Sequence, residues 1–142
     1  MNLDQIFSNI LIKEFEAIVV DCRNSEDNID DFLYFYSAAF GVVRRVMNFQ
    51  SEPALILAHL VLENSYQVMN QRWGQSTKPG TAFKSFPKIL PKKITEELER
   101  LIKALKDNNG DKVRLSLESI SNISYIATGN GNYLYHRGKI TL

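Results

Sequence analysis

The feature that most constrains this chain is the recurrence of apolar residues every three or four positions over long stretches. The clearest stretch runs from residue 29 to residue 47 and places seven apolar or aromatic side chains on one helical face: Ile29, Phe32, Leu33, Tyr36, Phe40, Val43 and Met47. An α-helix repeats every 3.6 residues, so this spacing predicts an amphipathic helix that buries one side. Such helices are stable only when packed together, and the pattern therefore predicts a helical bundle.

Capping residues and helix breakers divide the chain into five predicted helices. Their approximate ranges are 3–21, 28–48, 53–72, 96–107 and 111–128. Asp27 or Asn28 can cap the second helix by accepting hydrogen bonds from its first amides. Ser51 is predicted to cap the third helix, because Pro53 suits a first helical turn. Thr95 is predicted to cap the fourth.

The fold class predicted from these segments is mainly α: a bundle of about five helices with a long basic loop. The 142 residues suit one domain, spanning 1–142. Gly41 lies inside the second helix and is expected to let a neighbouring helix approach closely. Residues 75–94 contain three prolines and a glycine and are predicted to be irregular. The alternating pattern of residues 133–142 is compatible with a small C-terminal β-hairpin.

The net charge of +1 conceals a strong asymmetry along the chain. Residues 1–31 contain eight acidic and two basic residues, whereas residues 64–95 contain six basic residues and no acidic one. A ligand responds to the local field rather than to the total charge. The basic stretch is therefore a candidate contact for a polyanion. The acidic stretch from Glu14 to Asp31 is either a solvated surface or a contact for a basic neighbour, including another copy of this chain.

The basic stretch is also interleaved with aromatic residues, between Tyr66 and Lys93. Cations neutralise phosphates, and aromatic faces stack on unpaired bases, so this combination is typical of single-strand binding. The candidate nucleic-acid contacts are Arg44, Arg45, Arg72, Trp73, Lys78, Lys84, Phe86, Lys88, Lys92 and Lys93. A structural alternative stays open, in which Trp73 and the phenylalanines anchor the loop on the bundle and the lysines only solvate it.

No catalytic, cofactor or metal motif is recognisable, so the chain is predicted to be a non-enzyme without a cofactor. Gly129-Asn130-Gly131 lacks the third glycine of a dinucleotide fingerprint and follows a helix instead of a strand. His59 and Glu63 have helical spacing for two metal ligands, but two ligands do not make a site. The lone Cys22 is expected to be a packed thiol and favours a reducing, cytoplasmic setting. The most apolar stretch, Ala54 to Leu62, is interrupted by His59 and is too short to cross a bilayer.

In layout the chain resembles the small subunit of archaeal type I-A CRISPR interference complexes. The segments that carry the resemblance are Val42 to Asn48, the helix from Ser51 to Trp73, and the hairpin-like tail. The resemblance covers size, helix order and charge placement over most of the chain and includes no diagnostic motif. It implies a non-catalytic accessory subunit that accompanies other protein subunits along guide RNA and target DNA.

The alternative function is a protein-interaction module or a homodimer without any nucleic-acid role. Such an interface would be built on the second and third helices. An exposed Tyr34 or Phe35 beside the buried face would favour it, because large exposed apolar groups mark interfaces. Complementary acidic and basic faces on one small domain would also suit self-association.

Overall fold

The computed structural model describes residues 5–47, 52–73 and 88–128, and every regular element in these ranges is an α-helix. The five predicted helices are present. They are α1 (Gln5–Asn24), α2 (Ile29–Met47), α3 (Pro53–Trp73), α4 (Ile89–Lys106) and α5 (Gly110–Thr128). The prediction of a mainly helical fold is thus confirmed for the described ranges. The predicted C-terminal hairpin at 133–142 and the predicted cap Ser51 lie outside them.

The helices form a closed ring in which each packs mainly against two others. The order around the ring is α1, α2, α3, α5, α4 and back to α1. Ion pairs fix the direction of α4 against α1, because Arg23 reaches Glu99 while Glu16 reaches Lys106. Residue numbers therefore rise along one helix as they fall along the other, and the two helices are antiparallel.

An odd ring cannot alternate direction throughout, so one neighbouring pair has to be parallel. The short connections make α1–α2, α2–α3 and α4–α5 antiparallel. Because α4 also opposes α1, the remaining neighbours α3 and α5 run in the same direction. This arrangement defines two ends of the bundle. The end that holds the C-terminus of α3 and the N-terminus of α4 is called the α3–α4 end below.

The core draws on all five helices and is mostly aliphatic. Its largest fully buried side chains include Phe15, Phe32, Tyr36, Leu62, Met69, Leu98 and Leu117. One polar chain crosses it: the Tyr36 hydroxyl donates to Ser65 Oγ at 2.9 Å, Ser65 bonds Ser124, and Ser124 donates to the carbonyl of Ile120 at 2.7 Å. These side chains join α2, α3 and α5. Because every member has a partner, the buried hydroxyls are accommodated without an unsatisfied group.

The start of α4 differs from the prediction. The helix begins at Ile89, not near residue 96, so residues 89–94 of the predicted loop are helical. Pro91 falls in the first turn, where its missing N–H would have had no intrahelical partner. Thr95 is therefore not a cap: it is buried, and its hydroxyl donates to the Pro91 carbonyl at 2.8 Å.

Two asparagines cap helices in the described part of the chain. Asn28 Oδ1 accepts the Asp31 amide at 3.1 Å, which selects Asn28 from the two predicted caps of α2. Asn109 Oδ1 accepts the Lys112 amide at 3.1 Å, so α5 begins one residue before the predicted Asp111. α1 ends at Asn24, three residues beyond the prediction. The Ser25 hydroxyl there donates to the carbonyls of Asp21 and Cys22.

The turn between α4 and α5 is a Schellman motif. The Asn109 amide donates to the Ala104 carbonyl and the Asn108 amide donates to the Leu105 carbonyl, at 2.9 and 3.1 Å. Asn108 has a φ of 50°, the left-handed conformation that this motif requires. Asparagine tolerates that region better than most residues with a side chain, and this accounts for the sharp reversal of the chain.

The expected role of Gly41 is wrong. A Cβ added at this position would meet no described atom within 4 Å beyond its own helix, so no helix approaches closely there. The glycine instead borders an open groove between α1 and α2. Of the helices that the structure describes, none combines the length and apolarity that crossing a bilayer requires.

Candidate nucleic-acid interface

The structure divides the predicted contact residues between the two ends of the bundle. Arg72 lies in the last turn of α3, and Lys88, Lys92 and Lys93 lie at the start of α4, so these four belong to the α3–α4 end. Arg44 and Arg45 lie in the last turn of α2, at the opposite end. The separation along α2 is roughly 25 Å at about 1.5 Å per residue. Lys78, Lys84 and Phe86 lie outside the described residues.

The four cations of the α3–α4 end make no ion pair with any described residue. Arg72, Lys88 and Lys92 are exposed, and Lys93 is partly exposed. Other cations of the bundle are paired: Arg23 with Glu99, Arg45 with Glu14, Arg100 with Glu97, Lys103 with Asp107, Lys106 with Glu16 and Arg114 with Asp111. Of the seven described cations without an ion pair, four therefore lie where the sequence predicted a polyanion contact, and the other three are Lys13, Arg44 and Lys112.

Lys88 and Lys92 occupy an electrostatically unfavourable place, at the N-cap and in the first turn of α4. The N-terminus of a helix carries partial positive charge, so cations there lower helix stability by about 0.3–1 kcal/mol each. The first turn of α4 contains no acidic residue, and Lys88 at the N-cap makes no side-chain capping bond. An ammonium group has no acceptor and cannot cap. A bound anion would reverse these unfavourable interactions, because it would meet the lysines and the helix dipole together.

Lys92 and Lys93 make no ion pair with described residues, although two glutamates lie within reach along α4. Glu96 and Glu97 stand four residues after Lys92 and Lys93, a spacing that allows ion pairs on a helix. Glu97 instead pairs with Arg100, one turn further along. A lysine that precedes its glutamate also has the weaker of the two orientations. Lys92 and Lys93 therefore remain available to a ligand.

Tyr66 and Trp73, the two aromatic residues of the basic stretch that the structure describes, do not form a stacking surface. Trp73 is only 7% exposed and belongs to the hydrophobic core. Tyr66 is partly buried, with its ring centroid 5.5 Å from that of Phe40. The structure thus favours the anchoring alternative for Trp73, since a base could stack on the indole only if the ring left the core. Trp73 is not part of the surface proposed below.

The acidic surface lies at the same end of the bundle as the cations. Glu26 and Asp27 lie in the turn between α1 and α2, and Asp30 and Asp31 lie in the first turn of α2; all but Glu26 are exposed. In the ring, this acidic corner adjoins α3 on one side and α4 on the other. Arg23 contacts both Glu26 and Glu99 at the boundary with α4. The α3–α4 end is therefore polarised, with an acidic side and a cationic side.

The other two candidate reactive groups, His59 and Cys22, are packed within the helical bundle. His59 Nε2 lies 3.3 Å from Glu63 Oε2 without the alignment of a hydrogen bond, and the imidazole packs edge-on against Phe40. No third metal ligand joins this pair within the described ranges. Cys22 is fully buried, and burial raises the pKa of its thiol to about 12, so the thiol is protonated at neutral pH. It is a packed core residue, as predicted.

A surface that the sequence analysis did not single out lies between α1 and α2. This α1–α2 groove has a volume of about 560 Å³ and a mostly apolar lining: Glu14, Ala17, Ile18, Ala38, Gly41, Val42 and Arg45. Tyr34 stands one turn before Ala38 on the same helix and is 72% exposed. Small residues at 17, 38 and 41 leave the groove open, a signal that was readable in the sequence but has no meaning until the two helices are paired.

Comparison with known proteins gives no further assignment. The chain matches no protein-family model, no curated protein and no solved structure.

Proposed function

We propose that this protein is a non-catalytic, nucleic-acid-associated accessory subunit that binds phosphate backbone at its α3–α4 end. The observation that carries the proposal is the set of four cations there, Arg72, Lys88, Lys92 and Lys93, which make no ion pair with described residues. Lys78, Lys84 and Phe86 extend the candidate site in sequence between α3 and α4. Arg44 and Arg45 are left out, because they belong to the other end and Arg45 already holds Glu14.

The α4 lysines support this proposal because their position disfavours the unbound state. Each phosphate that replaces a bound counterion adds to the salt dependence of binding, with a contribution of about 0.7 per contact for single strands. Four contacts predict a slope of log affinity against log salt of about −3, and six predict about −4. Binding should show little sequence preference, since phosphate contacts position a protein without reading bases.

The test is a salt-titrated binding assay with single-stranded and duplex oligonucleotides. The variant is the triple charge reversal Lys88→Glu, Lys92→Glu and Lys93→Glu. The matched control reverses three exposed cations at the other end, Lys13→Glu, Arg44→Glu and Lys112→Glu, which also make no ion pair with described residues. Both variants change the net charge by the same amount.

The α4 variant is expected to lose binding and flatten the salt slope, whereas the control retains most of the affinity. The α4 variant should also fold well, because glutamates suit the N-terminus of a helix better than lysines do. Equal losses in both variants would mean only a general charge effect. A wild-type affinity that does not respond to salt would contradict the proposal.

The proposal extends to partners and place. The resemblance to the small subunits of type I-A CRISPR interference complexes suggests other protein subunits, guide RNA and target DNA as partners. Cytoplasmic location fits the only cysteine of the chain, which is a buried free thiol. Copurification of the tagged chain from its own cells, followed by sequencing of the bound nucleic acid with and without nuclease treatment, tests this part.

A second candidate function is a protein-interaction module. It is favoured by the exposure of Tyr34, because the sequence analysis predicted that an exposed Tyr34 or Phe35 would mark such an interface. Phe35 meets that condition less well, because it is partly buried against the core. This candidate does not depend on nucleic-acid binding, because Tyr34 is not among the cations of the α3–α4 end.

A further inference from the structure

A stripe of five residues runs along the outward side of α2. Its members are spaced alternately three and four positions apart: Asp31, Tyr34, Ala38, Gly41 and Arg45. Four are exposed and Gly41 is partly exposed. This is the spacing by which one helix packs along another. The inward face of α2 already packs in the core, so a solvent-facing stripe with helix-packing spacing is not needed by the fold of one chain.

The stripe joins a protruding side chain to a hollow on the same helix. Tyr34 is the protrusion, with 72% of its surface exposed. The hollow is the α1–α2 groove at Gly41, where an added Cβ would find no described atom within 4 Å beyond its own helix. The two lie about 10 Å apart along the helix, at about 1.5 Å per residue. Ala17 and Ala38 line the groove and keep it open and apolar.

The ends of the stripe carry opposite charges. Asp31 is exposed at the N-terminal end and makes no ion pair with a described residue. Arg45 is exposed at the C-terminal end and holds Glu14 through one arm of its guanidinium. Five donors in a planar fork allow an arginine to bridge two carboxylates. From Asp31 to Arg45, the stripe therefore presents an acidic residue, a protruding side chain, a small residue, a hollow and a basic residue.

We propose that this stripe is an interface between two copies of the chain, related by a two-fold axis close to Ala38. An antiparallel pairing of α2 with α2 places the Tyr34 of each copy opposite the Gly41 hollow of the other. The same pairing places the Asp31 of each copy opposite the Arg45 of the other. A two-fold interface requires a self-complementary surface, and this stripe is complementary in both shape and charge. The occupant of the groove is therefore a second copy, and the dimer does not depend on nucleic-acid binding.

The charge pattern allows a test by exchange. In Asp31→Arg both ends of the stripe are basic, and in Arg45→Asp both are acidic, so each variant alone repels its own copy. In a mixture, every end of one variant faces the opposite charge on the other. Native mass spectrometry at low salt should show a wild-type homodimer, monomers for each variant alone, and a heterodimer when the two are mixed. Glu118→Arg, on exposed α5 surface, is the matched control and should still form homodimers.

The shape pattern is tested separately by sedimentation. Tyr34→Ala should weaken the dimer about tenfold or more, as expected for an aromatic anchor at the centre of an interface. Leu115→Ala, which truncates another large exposed side chain on α5, should leave the dimer unchanged. Gly41→Leu fills the hollow and should also weaken the dimer, while circular dichroism shows the monomer folded.

Two results would overturn the proposal. One is a wild-type chain that sediments as a monomer in low salt up to about 1 mM, where even weak association is detected. The other is a dimer that persists in Tyr34→Ala and forms no heterodimer in the mixed charge variants, because a different face would then be responsible.

Discussion

The two sides of the bundle are joined by different kinds of polar contact. On one side, α2, α3 and α5 are connected by the buried hydroxyl chain through Tyr36, Ser65 and Ser124. On the other side, α1 and α4 are connected at the surface by Arg23–Glu99 and Lys106–Glu16. Hydrophobic packing underlies both sides, since every helix contributes to one core. The polar contacts therefore add different properties to a shared apolar scaffold.

The buried hydroxyl chain and the exposed ion pairs therefore contribute differently: the first requires one geometry, and the second gives an attraction that salt can weaken. A buried hydroxyl has to find a partner in one arrangement, because leaving it unpaired costs about 1–3 kcal/mol. An exposed ion pair contributes about 0–1 kcal/mol and is screened by salt. The hydroxyl chain is thus expected to fix which residues face each other, whereas the ion pairs favour the antiparallel register of α1 and α4 with little cost when broken.

The largest effect is expected from Ser65→Ala, which removes the centre of the hydroxyl chain. The Tyr36 hydroxyl then stays buried without its partner, and the free energy of unfolding should fall by about 1–3 kcal/mol. Urea unfolding at low and high salt should give the same loss. A second substitution, Tyr36→Phe, removes the orphaned hydroxyl and should recover part of the stability. If Ser65→Ala left the free energy of unfolding unchanged, or if the loss depended on salt, the contrast between the two sides would disappear.

Alkaline pH should act on the buried acids beneath both sides. Burial raises the pKa of the Cys22 thiol to about 12, and burial also raises the pKa of Tyr36 above its usual value. These groups lose their protons more easily when unfolded, so their stabilisation is complete at lower pH and declines above about pH 9 for Cys22 and above about pH 10 for Tyr36. The free energy of unfolding should fall by about 1.4 kcal/mol per pH unit for each group.

Urea unfolding between pH 8 and 11 measures this decline, and Cys22→Ala isolates one contribution. The variant is less stable overall because it loses core volume, so the slope is the informative quantity. Its slope should be shallower just above pH 9, where the thiol of the unfolded chain titrates first. Identical slopes in the variant and the wild type would contradict the assignment to Cys22.

A smaller effect is expected from Glu99→Gln, which breaks the ion pair with Arg23. The exposed pair should contribute about 0.2–1 kcal/mol at low salt and almost nothing near 1 M salt. Glu118→Gln is the matched control, since Glu118 is exposed on α5 and makes no ion pair with a described residue. A loss that persists at high salt would show that Glu99 contributes packing as well as charge.

Effects of a similar, small size are expected in the turn that connects the two sides, between α4 and α5. Asn108→Gly should stabilise the protein by about half a kcal/mol, because glycine adopts the left-handed conformation at φ 50° without steric cost. Asn108→Ala should destabilise it by about 1 kcal/mol for the opposite reason. Thermal unfolding of the two variants measures the difference. A shift in the same direction for both would argue against the left-handed conformation at this residue.

The fold class could be predicted from sequence because the signals that define a helix come from residues close together in the chain. The apolar period from Ile29 to Met47 and the cap at Asn28 depend on neighbours within one or two turns. The start of α4 was missed because Pro91 was interpreted as a breaker. A proline breaks a helix only where an amide and a preceding turn are required, and neither is required in the first turn.

The candidate site was less predictable because it depends on how the helices reverse. The sequence grouped Arg44 and Arg45 with Arg72 and the α4 lysines, but α2 carries the two arginines to the other end. The hydroxyl chain was also not foreseen, since Tyr36, Ser65 and Ser124 are far apart in sequence. Pairings of this kind follow from the ring order of the helices, which local periodicity does not encode.

The buried thiol of Cys22 can report how often the helical bundle opens at α1. Cys22 is the only cysteine, it is fully buried on α1, and its raised pKa keeps the thiol unreactive while the helix is docked. A thiol reagent can therefore label the protein only during moments when α1 separates from the rest of the ring. The rate of labelling in native buffer converts into how often that helix detaches, without any probe having to be introduced.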